Sequence, residues 1–213
     1  MHPKNKYIKD LIAQGEHQQL DFKFEITDSK KIARTLSAFS NTDGGTLLIG
    51  VKDNGSISGI NSSEEYHMLE AAAEMYCSPP ISFQAKEWIV DGKPILEIKI
   101  AKRTGIPHKA PNHDGKMMIF IRVGDQNLLA NRVLLKVWNK KEKNIQIRIE
   151  YKEAEKALLN YLNQHTQITL TEFCNIAMIP KFKAENILVD FIVLDIIKFN
   201  FTEKQTYYTL ADE

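Results

Sequence analysis

The chain has 213 residues, 43% apolar and 26% charged, with 28 Lys and Arg against 27 Asp and Glu. These proportions suit one or two globular domains, and they exclude a disordered, collagen-like or low-complexity chain, for which ten Gly and seven Pro are too few and the apolar share too large. No apolar run is long enough to span a bilayer and the start, Met1-His2-Pro3-Lys4-Asn5-Lys6, lacks the apolar core of a signal peptide, so a cytoplasmic protein with no membrane partner is expected.

Pro3 suits a first helical position, Tyr7, Ile8, Leu11 and Ile12 recur on one face, and Gly15 supplies the stop. Leu20-Asp21-Phe22-Lys23-Phe24-Glu25 alternates as a half-buried strand does, with Leu20, Phe22 and Phe24 toward a core and Asp21, Lys23 and Glu25 away from it. Asp28 caps a helix whose Ile32, Ala33, Leu36 and Phe39 follow helical spacing as far as Asn41-Thr42-Asp43-Gly44-Gly45. The apolar run 46–51 reads as a strand buried on both faces, paired as a hairpin with 56–60 across Asp53-Asn54-Gly55. Ser62 and Glu65 form a capping-box pattern for a helix to about Tyr76, ended by Ser78-Pro79-Pro80. Strands at 81–90 and 94–101 flank the Asp91-Gly92 turn, and a polar loop, 102–116, leads to a strand at 117–123.

Residues 128–143 read as a basic helix followed by a connecting segment. Helices at 152–164, 171–178 and 182–196, an extended piece at 168–170 and a hairpin from 197 to 210 follow in the order of a winged helix, with 182–196 in the recognition-helix slot. The fold class is therefore α+β: a mixed-sheet domain over 1–126, a basic helix and linker over 127–149, and a small winged-helix-like domain over 150–213. Phe182, Ile187, Leu188, Phe191, Ile192 and Leu194 are its core stripe. Cys77 and Cys174 lack metal-ligand spacing and read as small buried apolar residues.

Charge is unevenly spread. Residues 1–149 hold 22 basic against 17 acidic residues, and 150–213 hold 6 against 10. Residues 102–148 alone carry eleven basic residues against Asp114, Asp125 and Glu142. Clustered Lys and Arg neutralise phosphates, so Lys102, Arg103, Lys109, Lys116, Arg122, Arg132, Lys136 and Lys140 are candidate nucleic-acid contacts. Lys181 and Lys183 mark the start of the recognition-helix slot, whose own acids Glu185, Asp190 and Asp195 favour docking or dimerisation as much as DNA reading.

Four blocks in order carry a family resemblance: Gly15-Glu16 with Asp21-Phe22-Lys23; residues 38–53, Ala-Phe-Ser-Asn-Thr-Asp-Gly-Gly-Thr-Leu-Leu-Ile-Gly-Val-Lys-Asp; Ile57-Ser58-Gly59-Ile60; and Ile121-Arg122-Val123-Gly124. From Gly15 to Asp125 the chain resembles the Schlafen-type AlbA-like domain, described as DNA-binding and also as a divergent AAA ATP-binding domain. Read from the residues, Gly44 and Gly45 let the chain pass at once from helix to strand, and Gly50 permits close approach of another backbone. Asn41 belongs to the same structural motif. No GxxxxGK[ST] pattern is present, so ATP is not expected as a cofactor.

Some Schlafen-family members are endoribonucleases with three acidic residues, and the resemblance places these at Glu16, Asp21 and Asp53, with Asp21 standing where the nuclease pattern has Glu. Such carboxylates would hold Mg²⁺ or Mn²⁺, and Lys23 on the strand face of Asp21 would meet a phosphate oxygen. Those nucleases clamp RNA between two related lobes, and a homodimer would supply the second lobe here. The leading expectation is a DNA- or RNA-binding protein, a DNA-binding transcriptional regulator needing no cofactor. The alternatives are a divalent-metal endoribonuclease and a dimeric protein-interaction scaffold.

Overall fold

A computed structural model describes residues 3–60, 64–148, 150–202 and 204–211. The chain divides into two compact units, one ending at Leu129 and the other beginning at Ala130. Among the described residues no helix is long and apolar enough to cross a membrane.

Unit 1 contains α1 (Pro3–Ile12), β1 (Leu20–Lys23), α2 (Ser29–Asn41), β2 (Gly45–Ile49), α3 (Glu64–Glu74), β3 (Phe83–Val90), β4 (Lys93–Ile100), β5 (Lys109–Pro111), β6 (Met117–Val123) and β7 (Gln126–Leu129). Its main sheet is mixed: the order is β1-β2-β4-β3, with β1 parallel to β2 and the other neighbours antiparallel. The fold is α+β, with a second, antiparallel sheet β5-β6-β7. Asp28 caps α2 through its side chain, which accepts from Lys30 N.

Strand β2 explains how the layers stack. Its alternate residues serve two cores: Leu47 and Ile49 join Leu36 and Phe39 of α2, while Leu48 joins Ile8 of α1 with Leu20 and Phe22 of β1. Burial on both faces is what a continuous apolar run requires. The same geometry corrects the reading of β1. Leu20 and Phe22 face the α1 core as predicted, but the opposite face is also covered, so Asp21 is buried, while Phe24 lies beyond the strand and is exposed.

Other boundaries moved for local reasons. The predicted hairpin of 46–51 with 56–60 is reduced to a single bridge between Val51 and Ile57, because Gly50 turns the chain at φ +95°. Residues 126–129, the first two of which were placed ahead of the basic helix and the last two in it, form β7 and pair with β6. The helix starts later, at Arg132, because Asn131 is its cap and accepts from Leu134 N. The predicted capping residue Ser62 lies outside the described residues.

Unit 2 contains α4 (Arg132–Glu142), α5 (Glu153–Gln164), β8 (Ile168–Thr169), α6 (Leu170–Ala177), α7 (Lys181–Val193), β9 (Ile197–Phe201) and β10 (Thr206–Leu210), with strand order β8-β10-β9. A reciprocal capping box of Thr169 and Glu172 starts α6. The basic helix, expected to stand apart from the domain over 150–213, is α4 of this unit: Val133 and Val137 share one core with Leu158, Phe173, Leu188, Phe191 and Tyr208.

Candidate nucleic-acid interface

The Asn-Thr-Asp-Gly-Gly block is a structural hub. Asn41, at the last turn of α2, is buried and its amide is fully used: Nδ2 donates to the carbonyls of His108 (2.8 Å) and Phe120 (3.0 Å) and to Ser37 Oγ, while Oδ1 accepts from His108 N (2.9 Å). Ser37 Oγ donates to the same His108 carbonyl, and Thr42 Oγ1 accepts from Arg122 N. Three side chains at the end of one helix thus fix the approach to β5 and the backbone of β6. Such groups are hard to replace because each loss strands a buried partner.

The glycines serve packing. A Cβ on Gly44, at φ +71°, would lie 2.7 Å from the Ile100 carbonyl oxygen. On Gly50 it would lie 2.9 Å from the carbonyl carbon of Gly59, whose N–H, like that of Ser58, donates to Gly50 O. The second and third family blocks are therefore one tight contact between backbones. Gly45 faces the ring of Phe39 at a distance that leaves no room for a methyl group.

The guanidinium of Arg122 reaches inward. One nitrogen donates to Asp21 Oδ1 at 3.0 Å and another to Asn127 Oδ1, and Cζ lies 5.1 Å from the centroid of the Phe39 ring. The two side chains of the pair are 1% and 4% exposed. The expectation that Arg122 meets phosphate is corrected: its charge is consumed inside the protein. Lys23 Nζ lies 2.7 Å from the second oxygen of Asp21 and 4.0 Å from Glu16, so Glu16, Asp21 and Lys23 do meet. Glu16 accepts from Phe22 N, and its carboxyl is raised above the usual range, first by burial and then by the neighbouring Asp21, against the lowering effect of that N–H.

Asp53 is not with them. It sits exposed in the turn after Val51, and among the described residues no three His, Cys, Asp or Glu side chains are grouped to hold a metal ion. Both oxygens of Asp21 already face cations, Arg122 and Lys23. The donor set therefore does not fit the Mg²⁺ or Mn²⁺ site expected from Glu16, Asp21 and Asp53, and Asp21 acts as an internal counter-ion.

The exposed cations of unit 1 lie elsewhere. Lys102, Lys109 and Lys116 are exposed on the loop and β5 segment that Asn41 and Ser37 fix, with Arg103 half-buried among them. Arg103 N donates to Ser40 O, which ties this loop to α2 as well. Lys102 makes a loose ion pair with Asp43, 3.4 Å apart. A cleft of about 500 Å³ nearby is lined by Lys23, Lys31, Arg34, His113 and Asn127 among others. Lys31 and Arg34 were missed from sequence because they fall on the polar side of an amphipathic helix, where they look like ordinary solvated positions.

In unit 2 the basic helix is spent on its neighbour. Lys136 Nζ lies 2.9 Å from Glu185, which is 2% exposed, and 3.0 Å from Asn186 Oδ1. Lys140 pairs with Asp190, and Lys141 lies 3.5 Å from Asp195. Lys136 and Lys140 are thereby corrected from phosphate contacts to partners of α7, whose acidity is now accounted for. Arg132, Lys181 and Lys183 are exposed. Once the chain is divided at residue 129, the charge asymmetry vanishes: 16 basic and 16 acidic residues before it, 12 and 11 after it.

No curated protein matches the chain. Two solved structures are similar to it. The DIP2311 protein from Corynebacterium diphtheriae is 17% identical, with a TM-score of 0.47 over 65% of this chain and 33% of that one. The N-terminal domain of an ATP-dependent DNA helicase RecG-related protein from Nitrosomonas europaea is 21% identical, with a TM-score of 0.40 over 62% of this chain and 97% of that one. The chain thus spans about a third of the length of the Corynebacterium protein. The profile described as Schlafen, AlbA_2 matches residues 16–131, which include the hub of Asn41 and Gly44, the Gly50 contact and the Asp21–Arg122 pair. With more than half of its length under that match, the chain belongs to the Schlafen AlbA_2 family.

Proposed function

We propose that the protein binds nucleic acid through the phosphate backbone, using Lys102, Arg103, Lys109 and Lys116 of unit 1, and that it serves as a DNA-binding transcriptional regulator acting as a homodimer. The observation that carries this reading is that one surface segment is fixed from the end of α2: Asn41 and the Ser40 carbonyl of the family's second block, with Ser37 just ahead of it, all bond to the backbone of 103–108. A loop held so firmly presents its cations at little further entropic cost. Binding of this kind is largely indifferent to sequence and falls steeply with salt. The helix, strand, two helices and hairpin from α5 to β10 suit a winged helix as the second module, with its own role set by its exposed residues.

The test is a salt titration of wild type and the Lys102→Glu, Arg103→Glu variant on duplex DNA and on tRNA. The variant is expected to lose at least tenfold in affinity and to show a shallower salt slope; unchanged binding overturns the assignment. The endoribonuclease reading has one observation in its favour, the meeting of Glu16, Asp21 and Lys23. Cleavage of labelled tRNA by wild type that disappears in Glu16→Gln would establish it in place of simple binding.

A further inference from the structure

The second unit has an exposed apolar corner where α6 turns into α7. Met178 is 91% exposed, Phe182 65% and Ile176 39%. Phe182 had been expected in the core stripe of the helix; it lies outside because the inward positions of the first turn begin at Ala184. Between and beside these side chains stand Pro180, Lys181 and Lys183, and neither lysine makes an ion pair with a described residue.

The charges around this corner leave it positive. Glu185 is buried against Lys136, Asp190 pairs with Lys140, and Asp195, just past α7, with Lys141. The remaining acid, Glu172, keeps its negative charge in the capping box in the first turn of α6, where it accepts from Thr169 N and Oγ1, and Lys181 and Lys183 outnumber it. Helix α7 is also unavailable as a groove reader along its length. Ala184, Glu185, Ile187, Leu188, Val189, Phe191 and Ile192 are all buried. Beyond residue 183, Asn186 is its only exposed position, and Asn186 holds Lys136. What α7 offers to a partner is its first turn.

We infer that this corner is a stacking site for an unpaired base of nucleic acid, with Phe182 and Met178 supplying the apolar faces and Lys181 and Lys183 the phosphate contacts. A flat aromatic ring and a polarisable thioether beside exposed ammonium groups match the two parts of a nucleotide, its π-face and its anionic backbone. The inference rests on the nucleic-acid reading above and adds to it a preference for single-stranded segments in unit 2. It assigns the second unit a role that does not need a helix in the major groove.

The experiment uses the full chain and a fluorescein-labelled 12-mer of oligo(dT), with a fully paired 12-mer as the comparison, followed by anisotropy. Phe182→Ala is expected to weaken single-strand binding about tenfold, within the range for losing one stacked base, and to leave duplex binding within about twofold. Phe182→Trp is expected to restore affinity, and its added fluorescence to be quenched by oligo(dT). Because Phe182 is exposed, the thermal melt of Phe182→Ala should match wild type. Equal single-strand affinity for wild type and Phe182→Ala overturns the inference. If that result comes with a loss of binding in the Lys102→Glu, Arg103→Glu variant, the proposed function stands and only the stacking site falls. A shift of Phe182→Ala from dimer to monomer in sedimentation, with oligo(dT) affinity unchanged, identifies a second copy of the chain as the occupant and equally overturns it. No binding of wild type to either probe or to tRNA removes both readings.

Discussion

Units 1 and 2 carry nearly balanced charge, and they place it differently. Unit 1 sinks one pair, Asp21 with Arg122, between the main sheet, Phe39 and β6, where neither side chain is more than 4% exposed. Unit 2 lines up three pairs along α4 and α7, of which only Glu185 is deeply buried. The two arrangements respond differently to damage. A buried pair adds little net stability over an apolar replacement, yet removing one partner leaves a charge in a poorly solvated place. An exposed pair contributes little and loses little. The internal pair therefore specifies how unit 1 is assembled, and the helix pairs mainly dispose of acids that would otherwise repel an anionic partner.

The largest effect should come from breaking the internal pair. Asp21→Ala leaves Arg122 without its carboxylate and is expected to cost about 3–5 kcal/mol, measured by urea unfolding followed at Trp88. Pairing Asp21→Leu with Arg122→Met should recover most of that loss, and a single variant costing under about 1 kcal/mol would show that the pair does not hold unit 1 together.

Next in size is Gly44→Ala, expected to cost about 2–3 kcal/mol, because left-handed backbone strain adds to a clash with the Ile100 carbonyl that no side-chain rotation relieves. The loss should appear in the unfolding of unit 1 and not in that of unit 2, read at Trp138. A single shared transition shifted as a whole would show the units to be thermodynamically coupled.

In unit 2 the lysines should grade by the burial of their partners. Lys136→Ala, which leaves buried Glu185 with one cation fewer, is expected to cost about 1–2 kcal/mol, a value reduced from the fully buried case because Lys136 itself is one-third exposed. Lys140→Ala should cost about 0.5 kcal/mol and Lys141→Ala nothing measurable. Equal costs for all three would deny the gradient.

The smallest effect is a pH dependence in unit 2. Hydrogen bonds from Thr169 N and Oγ1 hold the Glu172 carboxyl below its usual range. Its folded value is lower than its unfolded one, so its contribution is present above the unfolded value and is lost as pH falls through the folded one. Melting of unit 2 between pH 6 and 3 should therefore fall slightly more for wild type than for Glu172→Gln. Parallel curves would remove the capping carboxylate from the pH response.

Much of this was legible in advance, for reasons that can be located. Helical spacing reported α2, a continuous apolar run β2, and the Asp91-Gly92 turn the pair β3 and β4, because each is a local consequence of which face a segment buries or where the chain reverses. The glycine block was legible because a helix that must become a strand within two residues tolerates few side chains. β5 and β7 were missed, since Lys109–Pro111 stands in a polar, proline-containing loop and Gln126–Leu129 shows no apolar alternation. Asp21 stands on what reads as the open face of a half-buried strand and Arg122 in a basic segment, and the sequence does not say that these two residues, a hundred positions apart, bury each other.

The same division holds for function. The sequence by itself determined the family blocks, the number of cations and their order along the chain, because these are properties of composition and short-range pattern. Only the tertiary structure decided which cations remain to meet a partner. Arg122 is spent on Asp21, Lys136 and Lys140 on α7, and Asp53 is held apart from Glu16 and Asp21. Lys102, Lys109, Lys116, Lys181 and Lys183 stay at the surface. Ion pairing depends on distances of a few ångströms between residues far apart in the chain, and folding alone brings those distances about.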